Sequence, residues 1–440
     1  MTISPTRLAA LILLAGFALS LYWYLPTYSA DLMATWLAGS FLKMGRPDQV
    51  YPAVTEYFLM YPPSEWRSYM LETYNYSGPI YPFLYPPLWA KIAAWMSMAD
   101  FWRITVVAIL INSALQMATV WLAWRATRTS LHPGLFMGLA VVFLLGTHIG
   151  TISLQQNQPQ IFVSFLLVLA VERSRARAPV SAGLALAIAA SIKLYPAIFA
   201  LFWLFGRERR AFASFAVFGA ALGLTSILWA GWPLHQAFLE QVRLISNSVL
   251  VTGITVNVDA AVAQIFFGDS LARVPALEPP TAVNPDPGWY SMARPEAWRM
   301  ISGFVLLSAI AALTYAFSRA DRNTRASVLW PLALTAVALL SPITWAYYYL
   351  PTACFAPVLI EKLGPRLGGV ILFATFAPIF GPVFRLYRIT KDWPGWPPYL
   401  YQIVSVACLT LLTLGFAIAL VRALNPGETP AKPERGLAPD

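Results

Sequence analysis

Charge is what this chain has least of. Only 11% of its 440 residues are Asp, Glu, Lys or Arg, whereas about 25% is usual in a soluble domain. With 58% hydrophobic residues and a mean hydropathy of +0.60, it reads as an integral membrane protein. Cysteine is nearly missing: Cys354 and Cys408 both lie in apolar runs, so no disulfide framework or thiolate metal site is supported. The three histidines, His132, His148 and His235, are far apart, and no metal-spaced cluster, P-loop or GxSxG element occurs. There is no repeat of fixed period, and no inverted repeat of the kind that marks many transporters. The net charge of +10 does not point to nucleic acid, because Lys and Arg lie mostly in short loops between apolar runs, as topology determinants do.

Aromatics are plentiful at 14%, with 17 Trp and 20 Tyr, which suits interfacial belts and a lipid or sugar site. The first apolar run, Leu8 to Leu25, follows Arg7 and exceeds a typical signal core; Tyr28-Ser-Ala30 is a poor cleavage site, so the run reads as a retained anchor. Arg7 places the N-terminus inside, and external segments are expected at 26–100 and 231–297. Crossings are expected near 8–25, 101–124, 132–147, 159–171, 211–230, 298–318, 327–340, 345–360, 367–383 and 399–421. The apolar stretch 179–205 has Arg173, Arg175 and Arg177 before it and Arg207, Arg209 and Arg210 after it. One crossing would break the positive-inside rule, and Pro196 breaks a helix, so two short helices forming a re-entrant hairpin are expected. The reading is all-α: about ten transmembrane helices, the hairpin, interfacial helices in the external loops, and both termini cytoplasmic. Residues 1–424 form the membrane-embedded domain and 425–440 a polar, disordered tail.

The stretch from Asp31 to Tyr51 organises the rest. Leu32, Trp36, Leu37, Phe41 and Leu42 recur at helical spacing, so a short interfacial helix is expected, ended by Gly45 with Pro47 forbidding its return. One carboxylate then sits at the helix start beside a partly dry environment. Two readings stay open for Asp31: a helix N-cap, or a catalytic base.

Other candidates carry the same ambiguity. Lys193 is costly in lipid and either faces a protein cavity or caps carbonyls freed by Pro196. Gln155 to Gln160, which contains Gln156 and Asn157, is either a polar site or a hydrophilic turn. The external cations Arg243, Arg385 and Arg388 are solvated, bound to headgroups, or engaged with a lipid phosphate. Ser341-Pro-Ile-Thr-Trp345 reads first as a helix entry with an interfacial Trp. Together, one outer carboxylate, external cations and stacking aromatics suit sugar transfer from a lipid phosphate.

With these residues in view, the sequence resembles the bacterial polyprenol-phosphate-dependent membrane glycosyltransferases of family 87. The resemblance rests on Asp31 followed by Gly45 and Tyr51, on Tyr85-Pro-Pro-Leu88 and on the Gln156-Asn157 turn. It continues through Lys193-Leu-Tyr-Pro196 before Arg207-Glu-Arg-Arg210, and Ser341-Pro-Ile-Thr-Trp345. It implies a GT-C fold, a catalytic carboxylate in the first external loop (Asp31), and an inverting displacement. The implied donor is a polyprenyl-phosphate sugar, with mannose first in line, and the acceptor a glycolipid or glycan; no cofactor or metal is required. The implied location is the plasma (inner) membrane, with the site facing outward. The implied substrate-binding residues are Tyr51, Tyr85, Gln156, Asn157, Lys193, Trp345 and Tyr348. One departure stands out: mannosyl-donor members often place His after the Ser-Pro-x-x-Trp segment, where this chain has Tyr347, Tyr348 and Tyr349. A histidine contact to phosphate or acceptor would then be missing, or be supplied elsewhere by His235 or Arg243. The rivals are a non-enzymatic flippase of lipid-linked sugars and a structural subunit of an envelope-polysaccharide complex.

Overall fold

The computed structural model describes residues 4–25, 29–281, 287–389 and 397–425. The expected tail beyond residue 425 lies outside these, as do the side chains of Arg385 and Arg388. Among the described residues, six helices are long and apolar enough to cross a membrane: Pro5–Tyr24, Phe101–Thr127, Arg209–Ala230, Glu296–Arg319, Arg322–Leu340 and Leu400–Leu424. Pro133–Gly146, Pro179–Ile192, Tyr195–Phe205 and Pro365–Phe376 are apolar but shorter. A single buried apolar cluster runs through the bundle from Ala9 to Ala419.

Burial separates lining from core. Only 11% of the apolar window of Arg209–Ala230, and of Glu296–Arg319, is buried, against 78% for Arg322–Leu340. The first two therefore turn most of their surface to lipid, while the third is packed on nearly all sides. The expected crossing near 345–360 is not one helix. It is a chain of short turns, Ala346–Tyr349, Leu350–Phe355, Ala356–Val358 and Leu359–Leu363, because Pro351 and Pro357 lack the amide hydrogen a continuous helix needs. Leu350, Cys354, Phe355 and Leu359 are wholly buried, so the irregular backbone is sheltered by protein rather than exposed to lipid.

The expected helix forms over Ala30–Lys43, with ten of its residues buried. Gly45, at φ +76°, ends it, and the Arg46 amide donates to Phe41 O at 2.9 Å, the long bond of a Schellman motif. This helix lies on Pro87–Met96 at very close range: a Cβ added at Gly39 would sit 2.3 Å from the Ala93 carbonyl carbon. Only a residue without a side chain permits that approach. We expect Gly39→Val to cost at least about 1–3 kcal/mol by overpacking, read as a lower thermal unfolding temperature in detergent; an unchanged temperature would refute the close packing.

The all-helical reading needs correction in the second external segment. After helix Trp232–Ser246, strands β1 (Ser248–Val251), β2 (Ala272–Pro275) and β3 (Gly288–Ala293) form an antiparallel sheet of order β1-β3-β2, with Val249 opposite Met292 and Val274 opposite Trp289. These strands are four to six residues long, too short for a period to be legible in a chain this apolar. Pro275 is the last residue of edge strand β2, a position where its missing donor is tolerated. A further helix, Ser64–Tyr74, lies between Ala30–Lys43 and Pro87–Met96 in the chain and ends at Asn75 in the left-handed region.

Candidate active site

A cavity of about 530 Å³ opens where segments 31–100 and 231–281 meet the bundle. Asp31, Tyr85, Gln156, Gln158, Lys193, Trp345 and Tyr348 all line it. Residues far apart in sequence thus converge on one space.

Asp31 is not the helix cap. Ser29 holds the N-cap position without a side-chain bond into the helix, and the free Ala30 amide donates instead to Gln156 Oε1 at 3.1 Å. That bond satisfies one of the orphan donors of the first turn. The Asp31 carboxylate instead accepts a short bond from Gln158 Nε2. Gln158 is held in turn by Tyr85, whose hydroxyl donates to Gln158 Oε1 at 3.2 Å, and Tyr85 is held by Tyr51, whose hydroxyl donates to Tyr85 O at 2.6 Å. The first of these bonds occupies the Gln158 oxygen and so turns its NH2 toward the carboxylate. Tyr51 does not line the cavity; it acts by positioning Tyr85.

The turn that carries Gln158 is built by Asn157, which sits at φ +46° between helices His148–Gln155 and Gln160–Arg175. Asn157 is buried and structural: Asn112 Nδ2 donates to its Oδ1 at 3.0 Å, and its Nδ2 donates to Ser29 Oγ at 2.7 Å. It therefore fastens the Phe101–Thr127 helix to the start of the Asp31 helix, and does not present itself to a ligand.

Lys193 sits in the break after Pro179–Ile192, in extended backbone ahead of Pro196. Its Nζ lies 3.3 Å from the Tyr348 hydroxyl, 4.4 Å from the Tyr348 ring centroid, 5.3 Å from that of Tyr347 and 5.6 Å from that of Tyr85. Three ring faces hold the cation by their quadrupoles. Among the described residues no carboxylate comes within salt-bridge distance of it, so its charge is available to an anion. The Ser341 to Trp345 segment brings Tyr347 and Tyr348 here: Val256 N donates to Thr344 O at 2.7 Å and Ala346 N to Ile254 O at 2.9 Å, pinning the segment to the second external loop. Trp345 lines the cavity and stacks on Tyr347 at 6.3 Å.

Two expected residues lie elsewhere. His235 bonds Ser226 Oγ at 2.9 Å and Gly231 O at 2.7 Å and stacks on Trp232, which ties the loop after Arg209–Ala230 to its own helix. Arg243 is exposed and outside the cavity lining. Neither replaces the missing histidine, because the tyrosines in that place surround Lys193. Sequence reading passed over Gln158 as part of a hydrophilic turn, and passed over Tyr81, Tyr195 and Glu278, all of which line the cavity. Nothing local marks Gln158; its partner is 127 residues away. Among the described residues no group of three His, Cys, Asp or Glu is placed to hold a metal ion.

Burial pushes the Asp31 carboxyl up to about 6, against the bond from Gln158 and the field of Lys193, which both favour the charged form. A base with this value is half ionised near pH 6, so activity that needs its carboxylate falls about tenfold per pH unit below that point. Removing the Gln158 bond removes a force that lowers the value. We therefore expect Gln158→Leu to move the acidic limb of the pH–rate profile to higher pH; a limb that stays put or moves down would uncouple the two residues.

The model of "Glycosyltransferase family 87" matches residues 83–342 of this chain. A curated relative, the polyprenol-phosphate-mannose-dependent alpha-(1-2)-phosphatidylinositol mannoside mannosyltransferase of Mycobacterium tuberculosis, is 27% identical over 387 residues, covering 80% of this chain and 81% of the relative.

Proposed function

Because the chain belongs to glycosyltransferase family 87 and is thus a membrane glycosyltransferase, we propose that it moves a hexose, with mannose the first candidate, from a polyprenyl phosphate to a glycolipid or glycan. The observation that carries this reading is the placement of Asp31 and Lys193 on one cavity. One is a carboxylate with a raised pKa and the other a lysine bordered by the rings of Tyr85, Tyr347 and Tyr348. The dependence of the mycobacterial relative on polyprenol-phosphate mannose supports the donor class.

In the proposed step the Asp31 carboxylate takes the proton of an acceptor hydroxyl. The oxygen attacks the anomeric carbon as the bond from that carbon to the phosphate oxygen breaks. The electron pair leaves with the polyprenyl phosphate, whose growing charge Lys193 stabilises. Attack opposite the leaving group inverts the anomeric centre. Gln158 keeps Asp31 aimed, and Tyr85 and Tyr348 keep Lys193 in place. Leu194, Ile198, Val242, Ile245 and Leu306 give the cavity an apolar side, and Leu306 belongs to the lipid-facing helix Glu296–Arg319. A prenyl chain enters from that side with its phosphate directed to Lys193.

The proposed topology has ten crossings, a re-entrant hairpin broken at Lys193 and both termini inside. Residues 1–424 act as one catalytic unit in the plasma membrane, with the cavity on the outer face. Purified protein in nanodiscs, given polyprenyl-phosphate mannose and other polyprenyl-phosphate hexoses or pentoses with envelope lipids as acceptors, tests this. Sugar transfer supports the reading, and translocation of the donor without any discharge would establish the flippase instead.

A further inference from the structure

We infer that four arginines at the end of the bundle away from the Asp31 cavity, Arg128, Arg175, Arg177 and Arg322, bind the phosphate headgroup of an anionic membrane lipid. The site stands whatever reaction the cavity performs. Helix Gln160–Arg175 starts beside Gln158, the partner of Asp31, and runs 16 residues, about 24 Å, away from it. Pro179–Ile192 leads back to Lys193, and Arg322–Leu340 leads to Ser341 on the cavity. Arg177 and Arg322 therefore lie at the far end with Arg175.

Two pins draw these ends together. Helix Phe101–Thr127 runs parallel to Gln160–Arg175, because Asn112 bonds Asn157 near the cavity and Arg125 Nη2 bonds Glu172 Oε1 at 3.0 Å near the far end. Arg128 and Arg175 each follow three residues after those last partners, one turn on, which sets them side by side. The second pin is Glu208, which accepts from Ser174 Oγ and, at 3.1 Å, from Arg325 Nη1. Ser174 precedes Arg175, and Arg325 lies one turn after Arg322. Arg128 and Arg177 follow their helices at φ +46° and +61°, in the left-handed region that glycine takes most easily.

The charge of this cluster is not balanced from within. Glu172 is shared by Arg125 and Arg173, Glu208 by Arg325 and Ser174, and Glu361 by Lys362, Thr129 and Ser130. Asp321 accepts from Thr324 N at 2.8 Å and from Thr324 Oγ1 at 3.1 Å. Among the described residues, the side chains of Arg128, Arg175, Arg177 and Arg322 make no ion pair or hydrogen bond. Burial first, then the charges of Arg128, Arg322 and Arg177, hold Arg175 below the ordinary guanidinium range, against the opposing field of Asp321. The donors are within reach of a ligand: Arg128 and Arg177 are exposed, Arg175 and Arg322 only partly buried. A helix C-terminus favours one cation, and membrane topology asks only for positive loops. Neither makes guanidiniums converge without a counter-charge. A phosphate relieves their repulsion and takes paired bonds from the planar forks. Val180 and Phe205, 62% and 56% exposed, flank the cluster in the chain and offer apolar surface to acyl chains, which a free phosphate does not need.

The full-length protein in nanodiscs of phosphatidylcholine alone, and of phosphatidylcholine mixed with phosphatidylglycerol, gives the test. Its thermal unfolding temperature is read in each, and phosphatidylglycerol retained on the protein is titrated by native mass spectrometry. Wild type should unfold several degrees higher in the mixed discs and hold phosphatidylglycerol about tenfold more tightly than the Arg175→Gln/Arg322→Gln double variant. In phosphatidylcholine alone the double variant should unfold at or above the wild-type temperature, because two mutually repelling charges are gone. Arg210→Gln, which removes an exposed arginine outside the cluster, should behave as wild type. No gain in wild type, or the same gain in the double variant, would overturn the site. An equal loss in Arg210→Gln would reduce it to bulk surface charge, and a double variant destabilised in phosphatidylcholine would make the arginines structural braces. Inorganic phosphate that reproduces the whole gain in phosphatidylcholine discs would replace the lipid by a free anion.

Discussion

Asp31→Asn is expected to lower sugar transfer by about 10²–10⁴-fold, the usual contribution of a positioned general base, while the protein stays folded. The folded state should survive because Asn keeps the volume and keeps an oxygen for the Gln158 amide. The start of the helix does not depend on the carboxylate either, since Gln156 satisfies the Ala30 amide. The loss should therefore appear in the chemical step, read as single-turnover transfer from polyprenyl-phosphate mannose with wild type alongside. Transfer within about threefold of wild type in the folded variant would remove Asp31 from the mechanism. The pH profile gives an independent check, because an acidic limb near pH 6 is expected from this group and should vanish with it.

Lys193→Met is expected to cost about 10²–10³-fold, the scale set by removing one preorganised group from a developing negative charge. Met preserves most of the apolar stem against the Tyr85, Tyr347 and Tyr348 rings, so packing changes little while the cation is lost. The effect should fall on the donor, as a raised KM for the polyprenyl-phosphate sugar together with a lower kcat. Lys193→Arg should recover only part of the activity, since a planar guanidinium does not fill the place of a compact ammonium among three rings. If Lys193 merely caps carbonyls freed by Pro196, Lys193→Met would lower the unfolding temperature and leave the donor KM where it was.

Much of the interfacial helix was legible in advance because its causes are local. Gly45 ends it and Ala30 begins it, as the apolar spacing and the glycine require. The break at Lys193 was legible for the same reason, since Pro196 acts on its own neighbours. The three-stranded sheet was not, because four-residue strands carry too little period to stand out from an apolar background. Nor was the division of labour in the Gln156 to Gln158 turn. All three residues looked alike as polar side chains. Only their partners distinguish Gln156 as the helix cap, Asn157 as the fastening and Gln158 as the group that aims Asp31. His235 and Arg243 were chosen because a cation was sought in the external loop, and sequence spacing alone does not say which loop residues face the cavity.

The sequence by itself determined that this is a membrane protein, where its long apolar helices run, and which carboxylate and lysine were worth following. Hydropathy, proline and glycine fix those features through the chain's own neighbours and through lipid. The tertiary structure alone decided that Asp31 and Lys193 share a cavity, that tyrosines and not a histidine surround the lysine, and that Gln158 holds the carboxylate. Those relations join residues more than a hundred positions apart, and their geometry exists only once the helices have packed.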